Sequence, residues 1–143
     1  MGLDIGSHTI GIAISDELGL TAQGLKTIRR GSMEEDLKEL NAIVAQFQIG
    51  KVVVGLPKNM NGSLGKQAET IFQWIKETRS KINLPMVTVD ERLTTVEASK
   101  VLLEADLSRK KQKKVIDKLA AVLILQGYLN QNRIRDNEPL LPT

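Results

Sequence analysis

Three acidic residues in separate stretches of the 143-residue chain occupy places where a carboxylate is costly: Asp4, Glu91 and Asp117. Asp4 lies in the apolar run Gly2-Leu3-Asp4-Ile5, and a buried carboxylate has to be paired, hydrogen-bonded or bound to a cation. Glu91 follows Met86-Val87-Thr88-Val89-Asp90, just beyond the carboxyl end of an expected parallel strand, where open α/β sheets place their ligands. Asp117 sits on an expected helix whose i+3 and i+4 positions are Ala120 and Ala121, a small face with space before the carboxylate. Asp90 rivals Glu91, because side chains alternate across a strand and only one of the two can face a site. Acids gathered in space repel until a cation neutralises them. Two divalent ions about 3.5–4 Å apart would do this while clamping the attacking and leaving oxygens of a phosphodiester displacement. Asp4 would bridge both ions, Glu91 and Asp117 would hold one each, and water would attack.

Composition narrows the chemistry further. There is no cysteine and His8 is the only histidine, so thiolate zinc sites, cysteine nucleophiles and histidine-rich metal sites are excluded. Oxygen ligands favour Mg2+ or Mn2+. A net charge of +3 is compatible with a polyanionic partner. Aromatic residues make up only 3% of the chain, which argues against a base-stacking platform and for recognition through phosphates and shape. No apolar run approaches the ~20 residues of a membrane span, and the amino terminus lacks a signal-peptide pattern. The expectation is a cytoplasmic protein with no membrane partner. It comprises one domain over residues 1–131 and a polar tail over 132–143.

The elements that must position these acids follow from periodicity. Ile10, Ile12 and Ile14 alternate with Gly11, Ala13 and Ser15, a strand pattern, and residues 20–28 read as a third strand interrupted by Gly24. The opening is therefore a three-stranded antiparallel meander. Ser32 and Glu35 have capping-box spacing ahead of a helix over about 33–48 with Leu37, Leu40, Val44 and Phe47 on its inner face. Val52-Val53-Val54-Gly55-Leu56 reads as a central strand covered on both sides. A helix over about 65–82 carries Ala68, Ile71, Phe72 and Ile75. A strand over 86–89 comes next, then a helix over about 94–105 opened by Thr94 and Glu97, and a largely buried helix over about 109–131. Strand, helix, strand, helix implies parallel βαβ pairing, and hence an α/β fold with a mixed five-stranded sheet flanked by helices.

Arg109, Lys110, Lys111, Lys113 and Lys114 place five cations in six residues at the start of the last helix, a candidate phosphate-gripping patch. The alternative roles are structural. The patch could be a solvated helix start, Asp117 could pair with Lys113, Lys114 or Lys118, Glu91 could pair with Arg92 or cap Thr94, and Asp4 could form a turn.

The stretches Gly2 to Asp16, Gly55-Leu56-Pro57-Lys58-Asn59-Met60-Asn61-Gly62, Asp90-Glu91-Arg92-Leu93-Thr94-Thr95 and Ile116-Asp117-Lys118-Leu119-Ala120-Ala121 together resemble the bacterial YqgF (RuvX) family. The resemblance extends from Gly2 to about Leu129. It implies a ribonuclease-H-like fold and a nuclease, described both as a Holliday junction resolvase and as a factor maturing the 5′ end of pre-16S ribosomal RNA. It carries the roles of first-strand acid to Asp4, of the Asp-Glu-Arg acid to Glu91 and of closing-helix acid to Asp117. In resolvases of similar fold the second acid lies on an earlier strand, where this chain has Gly55-Leu56-Pro57. His8 stands where the family often has Lys or Arg, and only three residues precede Asp4, so the expectation is either a short first strand or a misassigned start. His8, Lys58 and Arg92, inside the matched motifs, join the basic run as candidate nucleic-acid contacts.

Two other classes compete. Asp-x-Gly followed by a second glycine also opens the sugar-kinase, Hsp70 and actin ATPases, but those close two such domains on a nucleotide and this chain supplies one. It also has no phosphate-binding Gly-x-x-x-x-Gly-Lys-Ser/Thr loop. A non-catalytic factor that binds ribosomal RNA or the transcription machinery would keep the basic patch and leave the acids incidental. The sequence is silent between structured RNA and branched DNA, and between monomer and homodimer.

Overall fold

A computed structural model describes residues 1–57, 64–91 and 109–137, with side chains of the last helix described over 118–132. Its strands are β1 (Gly2–Ile5), β2 (Thr9–Ser15), β3 (Ala22–Arg29), β4 (Val52–Leu56) and β5 (Met86–Asp90). Its helices are α1 (Met33–Phe47), α2 (Lys66–Ile82) and α3 (Arg109–Asn137). The strands form one sheet in the order β3-β2-β1-β4-β5. β1, β2 and β3 pair antiparallel, whereas β4 runs parallel to β1 and to β5. The expected meander and mixed five-stranded sheet are both present, and β1 is four residues long.

The alternation of side chains sorts the core into two layers. Leu3, Ile5, Ile10, Ile12, Ile28, Val52, Val54 and Leu56 face α1 and α2. Ala13, Val53 and Val89 face Ala120, Ala121, Ile124 and Leu125 of α3. α1 starts where its capping spacing places it: Ser32 Oγ accepts from the Glu35 amide at 3.2 Å, and Glu34, Glu35 and Asp36 fill the first turn, the end where helix polarity favours acids. Both α1 and α2 stop on a left-handed residue, Gln48 at φ 52° and Asn83 at φ 57°. In β3 the register slips by one residue opposite Ile12 and Ala13, so that Leu25 is the extra residue of a bulge beside Gly24.

Several details depart from the sequence reading. On α2 the buried residues are Ala68, Ile71, Trp74, Thr78 and Ile82, while Phe72 stays 41% exposed. Periodicity allows either aromatic stripe. Trp74 is the one that packs in the α1–α2 layer, and Thr78 beside it is buried with its hydroxyl donating to the Trp74 backbone carbonyl at 2.8 Å. Phe47 likewise lies outside the core at 37% exposure. The small pair Ala120 and Ala121 does not front an open space. Both alanines are buried against the sheet, and a Cβ on Gly2 would stand 2.7 Å from Leu125 Cβ and 3.0 Å from the Ala121 carbonyl oxygen. Their size lets α3 approach β1 closely. α3 also continues through Asn137, past the expected end at about 131. The expected helix over 94–105 lies outside the described residues.

Candidate functional site

Asp4 occupies the third position of β1, opposite Gly11 of β2. Gly2, two residues before it, contacts α3, and residues two apart in a strand share a face. Asp4 therefore stands on the α3 side of the sheet, where it is buried to 8% exposure. Apolar neighbours on both sides make β1 a buried strand, and the carboxylate comes inward with it.

Glu91 is the first residue after β5 and is 6% exposed. Its side chain folds back over β4: Oε1 lies 2.8 Å from where a Cβ on Gly55 would be. Ile124 of α3 touches the same position, so Glu91 is on the α3 face as well. Asp90 is on the other face. Val87 and Val89 pack in the α3 layer and Met86 in the α1–α2 layer, and alternation puts Asp90 with Met86. The structure thus separates the two rivals and gives Glu91 the face that Asp4 occupies.

Gly55 makes this meeting possible. β4 lies between β1 and β5, so the two acid-bearing segments are about two strand spacings, or ~10 Å, apart. By reaching across Gly55, the Glu91 carboxylate comes to within about one strand spacing, ~5 Å, of the line of β1. Any side chain on β4 at this point would displace it. An isolated glycine in a strand is a sign of such close approach, and this signal lay unused in Val52-Val53-Val54-Gly55-Leu56.

A second arrangement, absent from the sequence reading, fixes the turn that follows Asp4. The Arg30 amide donates to the His8 carbonyl at 2.8 Å, and the Gly6 amide to the Thr9 carbonyl at 2.8 Å. Arg30 Nη1 donates to the Gly6 carbonyl at 2.7 Å. Asp36, at 4% exposure, accepts from the Gly31 amide at 2.9 Å and faces Arg30 Nε across 3.9 Å. α1 is in this way tied through Arg30 to the turn at the carboxyl end of β1. No periodicity or spacing reveals the link, because it joins residues 24 positions apart.

His8 is exposed on that turn. Lys58 and Arg92 lie outside the described residues. Arg109, Lys110, Lys111, Lys113, Lys114 and Asp117 belong to the backbone of α3, but their side chains are outside the described set. The structure therefore puts Asp4 and Glu91 on one face of the sheet, on or over adjacent strands, without addressing the third acid. Among the described residues no group of three or more acidic or histidine side chains could hold a metal ion, and no described helix is long and apolar enough to cross a membrane.

A sequence profile described as RuvX, Holliday junction resolvase, matches residues 1–131. The chain belongs to the RuvX family. A Desulforamulus reducens protein named "Putative pre-16S rRNA nuclease" is 54% identical over 130 residues, covering 91% of this chain and 95% of its own. A Natranaerobius thermophilus protein of the same name is 53% identical over 137 residues, covering 96% and 97%. Among solved structures, T. thermophilus RuvC in complex with a Holliday junction substrate superposes with a TM-score of 0.52 at 15% identity, over 92% of this chain and 94% of that one. That likeness bears on the fold. RuvX membership and the RuvC-like architecture bear out the ribonuclease-H-like reading, and the family and relatives are nucleases by name.

Proposed function

We propose that this RuvX protein is a divalent-metal-dependent nuclease that hydrolyses phosphodiester bonds in structured nucleic acid, with the 5′ end of pre-16S ribosomal RNA as its substrate in the cytoplasm. The observation that carries the reading is that two buried carboxylates share the α3 face at the carboxyl edge of the sheet: Asp4 on β1, and Glu91 reaching over Gly55 of the neighbouring β4. A buried pair of acids at such an edge fits a hard cation. The donors are oxygens, there is no thiol in the chain, and the one histidine is exposed on the neighbouring turn. Asp4 and Glu91 would hold Mg2+ or Mn2+, with Asp117 as the third ligand by family resemblance. When bound, the ions supply Lewis acidity and offset the charge of a phosphodiester at this edge.

The chain's own residues do the positioning. β1 fixes the Asp4 carboxylate, with Arg30 holding the turn behind it. Glu91 lies over Gly55 and under Ile124, where packing limits its rotamers. The basic start of α3, with His8, Lys58 and Arg92, would neutralise substrate phosphates. A Holliday junction is the alternative substrate, favoured by the description of the family profile, and a resolvase would need a second copy to cut symmetrically.

The deciding experiment is a cleavage panel of pre-16S leader RNA, four-way DNA junction, duplex and single strand, run with Mg2+, Mn2+ and chelator. Expected is cutting of the leader RNA with either ion, none with chelator, and none by Asp4→Asn or Glu91→Gln. Cutting that survives chelation or both substitutions would refute the proposal. Cutting of the junction alone would transfer the site to the resolvase reading.

A further inference from the structure

β3 ends on Arg29, and Arg30, just beyond it, leaves in the opposite direction. Arg30 turns toward α1, where it bonds Gly6 and faces Asp36. Ile28 packs in the α1–α2 layer, so alternation places Arg29 on the α3 face. The ladder agrees. Asp4 pairs with Gly11, Gly11 with Thr27, and Thr9 with Arg29, and directly opposed residues share a face. Arg29 is then one row nearer the carboxyl edge than Asp4, two strands away, with its Cα about 12 Å from that of Asp4 by strand geometry. It is exposed, and its side chain has no ion-pair partner among the described residues.

A second cation shares that strip. A Cβ on Gly24 would meet Lys118 Cγ at 2.7 Å and Cε at 3.3 Å. The Lys118 stem thus lies along the α3 face of β3, and the residue as a whole is exposed. Gly24 and Arg29 oppose Ala13 and Thr9, which places the Lys118 stem and the Arg29 backbone about 14 Å apart along the strand. Traced back from Leu125 and Ala121 over β1 to Lys118 over β3, α3 brings its axis toward the strand that Arg29 ends. The α1–α2 face of β3 differs: Lys26 there is paired with Glu39 at 2.9 Å.

We infer that Arg29 and Lys118 form a phosphate-binding strip along the α3 face of β3, which grips the polynucleotide backbone to one side of the bond cut between Asp4 and Glu91. The inference deepens the nuclease reading and rests on it for the position of the cut, but not for binding itself. An exposed arginine and an exposed lysine on one face hold phosphates without reading bases. Their loss should therefore weaken every sequence alike and release fewer counterions.

The test is fluorescence anisotropy with labelled pre-16S leader RNA and a labelled four-way DNA junction, in chelator so that nothing is cut, across a series of salt concentrations. Arg29→Gln and Lys118→Gln should each weaken binding roughly three- to tenfold and lower the magnitude of the log Kd against log salt slope by about 0.7–0.9, with the double variant losing about twice that. Arg29→Lys should keep the slope. Lys81→Gln, on the far side at the end of α2, is the control and should bind as wild type. An unchanged slope in both single variants, an equal loss in the control, or a wild-type protein that binds neither probe would overturn the inference. Reduced slopes in a protein that cuts nothing with Mg2+ would uphold it and sink the nuclease reading. The RNA and DNA arms show which backbone the strip prefers.

Discussion

Adding one methyl group at Gly55 is the sharpest perturbation the structure offers. The new Cβ would lie 2.8 Å from Glu91 Oε1, 3.0 Å from Ile124 Cγ1 and closer still to Ile124 Cδ1. Ordinary contact begins near 3.4 Å, so the Glu91 carboxylate must retreat by about 0.6 Å or more and α3 must yield with it. Overpacking of this kind costs about 1–3 kcal/mol. With an unfolding entropy of about 0.3 kcal/mol/K for 143 residues, Gly55→Ala should lower Tm by roughly 3–10 °C. The functional loss should be larger, because misplacing a reacting group by about 1 Å can cost ~100-fold in rate. The assay pairs a thermal melt with Mg2+-dependent cleavage of leader RNA, and adds Gly55→Ala/Ile124→Val. Trimming Ile124 should recover stability but not activity, since the Glu91 clash remains. The control is Gly24→Ala, whose neighbour is the pliable Lys118 stem and whose Tm should move far less. A Gly55→Ala protein with wild-type Tm and wild-type rate would refute the argument that this glycine makes room for Glu91.

Further outcomes follow from the same contacts. Arg30→Met removes the bond to the Gly6 carbonyl. A bond to a charged donor is worth about 1.5–3 kcal/mol, so its Tm should fall by several degrees and amide exchange should quicken across residues 6–9. Ser32→Ala, which removes the cap on the Glu35 amide, should cost about 1 kcal/mol by thermal unfolding and leave cleavage unaffected. The Leu20 amide donates to Asp16 at 2.7 Å and is the main cause holding its carboxyl below the ordinary aspartate value. Because the folded value is depressed, this contribution is complete above the unfolded value and disappears as pH falls through the folded one. Asp16→Asn should make stability less steep on the acid side, as followed by urea midpoints below pH 4. Replacing Arg109, Lys110, Lys111, Lys113 and Lys114 with Gln should lower nucleic-acid affinity and flatten its salt dependence. An unchanged slope would remove the basic run from the interface.

Much of the architecture was legible because it rests on local pattern. The alternation in β2, the unbroken β-branched run of β4 and the Ser32 cap were all written in adjacent residues, and parallel pairing followed from the strand-helix-strand order. What stayed hidden depends on contacts between distant segments. Sequence could not say which faces Asp90 and Glu91 take, since that needs the packing of β5, whose Val87 and Val89 lie against α3. The small residues Ala120 and Ala121 looked like clearance for a carboxylate, but small side chains also permit close helix-to-sheet packing, and that is their use against Gly2. Phe72 and Trp74 were interchangeable by period, and only the packing of α2 against the sheet distinguishes them. The clamp of Arg30 on Gly6 has no local signature.

Asp4 and Glu91 acting as one cation site is tested most directly by Mn2+ titration of the nucleic-acid-free protein in a calorimeter. Wild type should bind Mn2+ with a clear enthalpy. Asp4→Asn and Glu91→Gln should each weaken binding at least tenfold, and the double variant should be hardly worse than either single one, as expected for ligands that share an ion. Affinity unchanged in both single variants, or losses that simply add in the double, would contradict a shared site.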